Sequence, residues 1–492
     1  FRNNRPHTAV PGGSTFNGIK YDRLIEQLFL LTDGIYGVPL GAAAGMIFAF
    51  VMFGAFLESS KMSSLFMDLA CLLTRKSAGG PAKVSIFASA LFGTISGSAA
   101  ANVYGTGTFT IPLMKKVGYT PHFAGAVEAV ASSGGQIMPP VMGAGAFLMA
   151  SFLGLPFVDI IIAAVTPAII YYAAVFLMIR LEAMKRGLKG LSPEDLPDKR
   201  QVLKKAYLFL PIIGLVYFLF IGMTPMRAAA IGVALSWLVS LPQPDKRMGP
   251  KAIVDAIYGG VRNITLVCVA CATAGIVLAS VSLTGVGVKL VGLVLAFTSG
   301  IPLLALFLVM IVSLVLGMGL PTTGAYILAA ALGVPILTTL GFPAISAHMF
   351  VFYYAIISNI TPPVALAAYA AASIAGSEPN KTGFTACKLG FLAFVTPFAF
   401  CYDPGILLQG TLVQNVYGIL ACVAACFGFG FAIMGYLNRD LKVWERVVFV
   451  IFAVMGLSPN EFVTTAGAVG VIVAWIIFAK VGKKKTPTAA AV

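Results

Sequence analysis

Two short stretches hold the residues whose types and spacing could do chemistry. Gln136–Val141 reads QIMPPV and Asn359–Val364 reads NITPPV, each an amide side chain followed closely by a double proline inside an apolar run. Adjacent prolines remove two amide donors and clash with the preceding turn, so a helix through either stretch must unwind. Gly134 and Gly135 loosen the first stretch further. Carbonyls just ahead of the prolines then lose their helical donors. Such carbonyls, with a few hydroxyl or amide oxygens, suit a hard cation such as Na⁺. The half-helix after each break offers free N–H groups and a positive dipole end, which suits a carboxylate.

Two further stretches are small and oxygen-bearing. Gly93–Asn102 (GTISGSAAAN) contains Ser96, Gly97, Ser98 and Asn102, and Gly317–Gly324 (GMGLPTTG) contains Gly319, Pro321, Thr322 and Thr323. Each can form the tip of a hairpin that pairs with the break of its own half, near Gln136 and near Asn359–Thr361. Two pseudo-equivalent cation sites would then flank one substrate site. Small residues also serve close helix packing, and that reading is preferred for Gly37–Gly45 (GVPLGAAAG). At the two tips, breaks and polar groups coincide, which packing alone does not require.

Glu128 lies eleven residues before Pro139 on the same helix. An acid within a membrane is costly and often functional. The competing reading is an interfacial acid paired with Lys115 or Lys116, and the sequence leaves both open. Asp33, Glu58 and Asp68 read as interface or loop residues, and His122 and His348 as structural.

The elements that must position these groups follow from composition. The 492 residues are 59% hydrophobic and 10% charged, with a mean hydropathy of +0.94, where a soluble chain carries about 25% charged residues. Apolar runs of spanning length recur, and few segments alternate as membrane β-strands do. The chain therefore reads as an all-α polytopic membrane protein. The net charge of +15 is no nucleic-acid footprint, because the basic residues cluster in short connections, as the positive-inside rule describes. All seven cysteines lie in apolar segments, and Cys268 and Cys271 are one turn of packing rather than a metal pair. The chain starts at Phe1 without a signal peptide, which suggests a piece of a longer polypeptide.

The two double prolines stand 223 residues apart, at 139 and 362, and the same offset carries Pro112 onto Pro335, Gly118 onto Gly341 and Gln136 onto Asn359. This is an internal duplication. Glu128 falls on Val351 and so lies outside the symmetric set. The first hairpin is flanked by Lys83, Lys115 and Lys116, whereas the second has no flanking Lys or Arg, so the two enter from opposite sides. Lys185, Lys189, Lys246, Arg247, Lys381, Lys388, Arg439, Lys442 and Lys483–Lys485 all fall on the cytoplasmic side if about eleven transmembrane helices are counted. Two re-entrant hairpins in two inverted-topology repeats are the signature of a secondary transporter. The division expected is an N-terminal extracytoplasmic segment at 1–35 and repeat 1 at 36–182, with hairpin 81–117 and unwound helix 121–154. Cytoplasmic loops and linking helices follow at 183–258. Repeat 2 covers 259–402, with hairpin 302–340 and unwound helix 343–375, and accessory helices cover 403–492.

The stretches GTISGSAAAN, TGTFTIPLMKKVGY, FAGAVEAVASSGGQIMPPVMGA, LGMGLPTTGAYI and NITPPVALAAY resemble the large membrane (M) subunit of tripartite ATP-independent periplasmic (TRAP) transporters. They look most like the TAXI branch, in which the small Q and large M parts are fused. The likeness runs from about residue 21 to 410, with the Q-type helices expected ahead of Phe1. The resemblance implies an elevator of the ion-transporter-superfamily kind in a bacterial inner membrane, with Na⁺ as coupling ion and no other cofactor. It implies a periplasmic TAXI-type binding protein that delivers an organic acid, a dicarboxylate or similar, and a small Q-type membrane part. It places one cation at Ser96, Gly97, Ser98, Gly135 and Pro139, and a second at Gly317, Gly319, Thr323, Asn359 and Thr361. Substrate would lie among Ser98, Asn102, Gln136, Thr322 and Thr361. The hairpins and unwound helices would form the moving domain, braced by helices at 158–241. Interfacial arms would lie at 62–73 and 285–296. A rival reading is a divalent-anion/Na⁺ symporter working without a binding protein, which would repeat a Ser-Asn-Thr tip in both hairpins. An intramembrane enzyme is disfavoured, since no HExxH, Walker motif or Ser–His pairing is visible.

Overall fold

The computed structural model describes residues 19–74, 77, 79–188, 190–191, 196–242 and 247–481. Residues 1–18 of the expected N-terminal segment lie outside this set, as do Lys189, Lys246 and Lys483–Lys485 of the charges used for orientation. Among the described residues the apolar runs fold as helices, with a single isolated bridge at Tyr436–Asp440 and no strand. Proline and glycine set their ends. Helices Gly80–Ser96, Pro121–Gly134, Pro250–Thr284, Pro302–Gly317 and Pro379–Leu389 have proline in the first turn, where a missing N–H costs nothing. Left-handed Gly154, Gly285, Gly376 and Gly435 stop others.

The first half runs Val38–Ser59, Met62–Thr74, hairpin 1 (Gly80–Ser96 with Ala99–Lys116), Pro121–Gly134, Ala144–Leu153 and Phe157–Lys185. The second runs Pro250–Thr284, Val286–Thr298, hairpin 2 (Pro302–Gly317 with Thr322–Thr339), Ala344–Ile357, Leu366–Ala375, Pro379–Leu389 and Phe391–Tyr402. An offset of 223 residues maps Ala99 onto Thr322, Lys116 onto Thr339 and Pro121 onto Ala344, which are element boundaries in both halves. Lys199–Lys204, Leu210–Phe220 and Pro225–Ser240 lie between the halves, and Leu412–Met434, Val443–Met455 and Glu461–Val481 follow them.

Six described helices are long and apolar enough to span a membrane, or seven if the bent pair Pro379–Leu389 and Phe391–Tyr402 is one span. That is fewer than the eleven expected. The double prolines and glycine turns cut several of the counted segments into helices of 10–17 residues, each too short to cross alone.

The centre of the molecule is built from the two broken helices. Every residue from Phe123 to Gly134 is buried, and so is every residue from Ile345 to Ile357. Packing then crosses between the halves. Leu366–Ala375 packs on Pro121–Gly134 and Ala99–Lys116, while Ala144–Leu153 packs on Thr322–Thr339 and Ala344–Ile357. This exchange brings both breaks and both hairpin tips to one place. The outer surfaces differ. The first arm of hairpin 1 is almost wholly buried, whereas that of hairpin 2 leaves Leu303, Phe307 and Val315 exposed.

Candidate functional site

Each broken helix interrupts where the prolines fall. The first stops at Gly134 and resumes at Ala144; the second stops at Ile357, passes through a tight turn at Ser358–Ile360 and resumes at Leu366. Both Pro-Pro peptide bonds, Pro139–Pro140 and Pro362–Pro363, are cis. Not every carbonyl ahead of the first prolines is freed, contrary to expectation. A compact turn uses three of them: Gln136 N–H donates to Ser133, Ile137 to Gly134 and Met138 to Gly135. Among the described residues no donor reaches the carbonyls of Ile137, Met138 or Pro139.

The hairpin tips meet these breaks. At tip 1, Gly97 takes the left-handed conformation, and a side chain there would lie 3.3 Å from the Met142 carbonyl. Ser98 caps the next helix by accepting from Ala101 N–H at 3.4 Å, and the Ser96 hydroxyl donates to the Ser98 carbonyl at 3.4 Å. At tip 2, Gly319 is left-handed and lies against Val364.

A chain of hydrogen bonds then joins the two halves. The Gln136 amide donates to the Gly97 carbonyl at 3.1 Å, and its oxygen accepts from the Thr322 hydroxyl at 3.0 Å. Thr322 in turn accepts from the Asn359 amide at 3.1 Å. Both tips and both breaks are therefore held by Gly97, Gln136, Thr322 and Asn359. Each tip meets the break of its own half, Gly97 with Gln136 and Thr322 with Asn359, and Gln136 reaches the tip of the other half as well. These four are buried or partly buried, while Ser96, Ser98, Gly319, Pro139 and Thr361 retain exposed surface around them.

Close backbone approach underlies both junctions. A Cβ on Gly135 would fall 2.6 Å from Gly93 Cα and 2.9 Å from the Asn102 amide. In the second half the matching gap is filled by Ser358, whose hydroxyl donates to the Gly317 carbonyl at 3.2 Å. Ser358 belongs to the site, and the signals for it were its place directly ahead of Asn359 and the 223-residue offset that sets it on Gly135. Thr361 spends its hydroxyl on the Ile357 carbonyl at 2.8 Å. Thr323 is buried beside Thr322.

Asn102 does not join this set. It has no exposed surface, and its amide donates to the Ser89 carbonyl at 2.9 Å and more weakly to Ser132. It stitches the arms of hairpin 1 to the helix Pro121–Gly134 and has no face to offer a substrate. Glu128 is also fully buried, which removes the interfacial reading. Lys115 donates instead to the Ala375 carbonyl at 2.9 Å. His348 is buried, with a ring nitrogen 2.8 Å from the Tyr326 hydroxyl.

The oxygens gathered at the tips and breaks are neutral carbonyls, hydroxyls and amides. Such donors match a hard monovalent cation, and the N-termini of Ala144–Leu153 and Leu366–Ala375 match a carboxylate. Broken helices held within a body of spanning helices define a multi-pass membrane carrier. The model of the family described as "Tripartite ATP-independent periplasmic transporter, DctM component" matches residues 15–414, and the chain belongs to that family. It is thus a TRAP large permease, a secondary transporter of organic acids that works with a periplasmic binding protein and a small membrane subunit.

Relatives are distant but cover most of the chain. An uncharacterized protein, y4mL, of Sinorhizobium fredii is 24% identical over 73% of this chain and 85% of its own length. The C4-dicarboxylate TRAP transporter large permease protein DctM of Pseudomonas aeruginosa is 23% identical over 73% of this chain and 84% of its own. The isethionate TRAP transporter permease protein DctMQ of Oleidesulfovibrio alaskensis is 22% identical over 73% of this chain and 56% of its own.

Proposed function

We propose that this chain carries out Na⁺-coupled uptake of an organic acid across a bacterial inner membrane by an elevator movement. Its cargo comes from a periplasmic binding protein of the TAXI type, and it works with a small Q-type membrane part. The observation that carries this reading is the bonded chain Gly97–Gln136–Thr322–Asn359, which ties two hairpin tips and two broken helices into one unit. A unit joined at its centre moves as a body, as alternating access by rigid-body displacement requires.

In this reading the two halves are inverted repeats. Ser96, Gly97, Ser98, Gly135 and Pro139 hold one cation, and Gly317, Gly319, Thr323, Asn359 and Thr361 hold the other. The cargo's carboxylate sits between them, beside Ser98, Gln136, Thr322 and Thr361. The named cargoes of the Pseudomonas and Oleidesulfovibrio relatives, C4-dicarboxylates and isethionate, are small organic anions, which supports the same class here.

The test begins with a ligand screen of the cognate binding protein. Uptake of the ligand found is then measured in proteoliposomes with and without a Na⁺ gradient and the binding protein. Uptake should require both. Full uptake without the binding protein would favour a self-sufficient divalent-anion/Na⁺ symporter. Ser98→Ala and Thr323→Ala should each raise the Na⁺ concentration for half-maximal uptake; an unchanged value in both removes these residues from the cation sites.

A further inference from the structure

One buried carboxylate takes no part in the tip junction. Glu128 has no exposed surface, and five hydroxyls surround it. Its Oε1 accepts from Ser89 at 2.9 Å, Thr106 at 2.5 Å and Ser132 at 3.0 Å. Its Oε2 accepts from Ser85 at 2.8 Å and from Thr110. Two hydroxyls come from each arm of hairpin 1 and one from the helix of Glu128 itself. Gly107 leaves the room this requires, since a Cβ there would lie 2.9 Å from the Glu128 side chain.

No cation balances the carboxylate among the described residues. Of the titratable groups on the elements packed around it, Lys83 is held by Ser77 and the Phe176 ring, and Lys115 by the Ala375 carbonyl. Tyr171 and Tyr172 donate to the carbonyls of Val130 and Ala131, Tyr353 to Pro167, Tyr369 to Pro363 and Cys387 to Ile360. With no counter-charge, the carboxylate depends on these five hydroxyls alone for its partners.

The cage is wired for both states. Thr106 has one hydrogen to give, yet its oxygen also lies 2.8 Å from the Asn102 carbonyl, and that of Thr110 lies 3.1 Å from the Thr106 carbonyl. With Glu128 ionised, both threonines donate to it. When a proton arrives, the new carboxyl O–H donates to a threonine oxygen, and that threonine turns its hydrogen to the carbonyl. Neither state strands a buried polar group.

We infer that Glu128 is a reversibly occupied proton-binding site between the arms of hairpin 1 and the first broken helix. The inference goes beyond the proposed uptake reaction and does not depend on it. The test is infrared difference spectroscopy of the purified full chain, titrated from acid to alkaline pH in H₂O and D₂O. Expected is a protonated-carboxyl C=O band that titrates, shifts in D₂O, and is lost in Glu128→Gln. Thr106→Val, which keeps the carboxyl but removes one donor, should move its midpoint. Identical carboxyl spectra for the native chain and Glu128→Gln would overturn the proposal. So would loss of the band on adding Na⁺ at fixed pH, which would make this a metal-cation site. Should Glu128→Gln not fold, Thr106→Val decides, and an unmoved band overturns the proposal.

Discussion

Gln136 and Asn359 hold matched positions but do different work, and the difference is one methylene. The longer Gln136 reaches both the Gly97 carbonyl and the Thr322 hydroxyl. Asn359 reaches Thr322 and the Ala355 and Ile356 carbonyls of its own helix. Gln136→Ala leaves the buried Thr322 hydroxyl without its acceptor and the Gly97 carbonyl without its donor, at a cost of about 1–3 kcal/mol. A thermal-unfolding midpoint equal to the native one would deny the bridge. Gly135 is constrained by space rather than by conformation, because Gly93 and Asn102 occupy the volume a methyl would need. Gly135→Ala should destabilise by about 1–3 kcal/mol through overpacking, read by the same measurement. A neutral outcome would mean that hairpin 1 and the broken helix can separate at no cost.

The broken helices are the elements on which the site depends. Their position was legible from local chemistry, because proline has no N–H and its ring excludes the preceding turn. Replacing Pro139 and Pro140 together by alanine restores two donors and lets the helix run on. The expected result is loss of Na⁺-dependent uptake with the helical circular dichroism signal retained; undiminished uptake would separate the break from the function. The partners of Glu128, on the first broken helix, were less legible. Ser85 and Ser89, Thr106 and Thr110, and Glu128 and Ser132 are three pairs at a spacing of four, each on one helical face. That pattern alone does not reveal a carboxylate cage. Serine and threonine in helices commonly bond back to their own turn, as Thr396 does to Leu392.

At the scale of the whole molecule, the two halves share element order but not environment. Met62–Thr74 is packed between hairpin 1 and Lys199–Lys204, whereas Val286–Thr298 leaves Val288, Leu293 and Phe297 exposed. Pro250–Thr284 and hairpin 2, which pack against Val286–Thr298, also leave apolar side chains exposed, among them Leu266, Ile276 and Phe307. If Val286–Thr298 works as an arm of an elevator, it must change its angle to hairpin 2. A rigid crosslink between the two should therefore abolish uptake in proteoliposomes without unfolding the chain. Full uptake by the crosslinked protein would exclude a hinge there.

The sequence by itself determined the membrane class, the 223-residue spacing of the two double prolines and the two breaks. Each depends on composition, on spacing or on a covalent property of proline that acts within a few residues. It also placed the small polar tips one element ahead of each break. Only the tertiary structure decided that Gln136 reaches across to Thr322, 186 positions away. Only it showed that Asn102 turns inward, and that five hydroxyls from three helices close on Glu128. Those facts depend on which helix faces meet, and helix faces meet where distant segments pack. No local run of residues encodes that on its own.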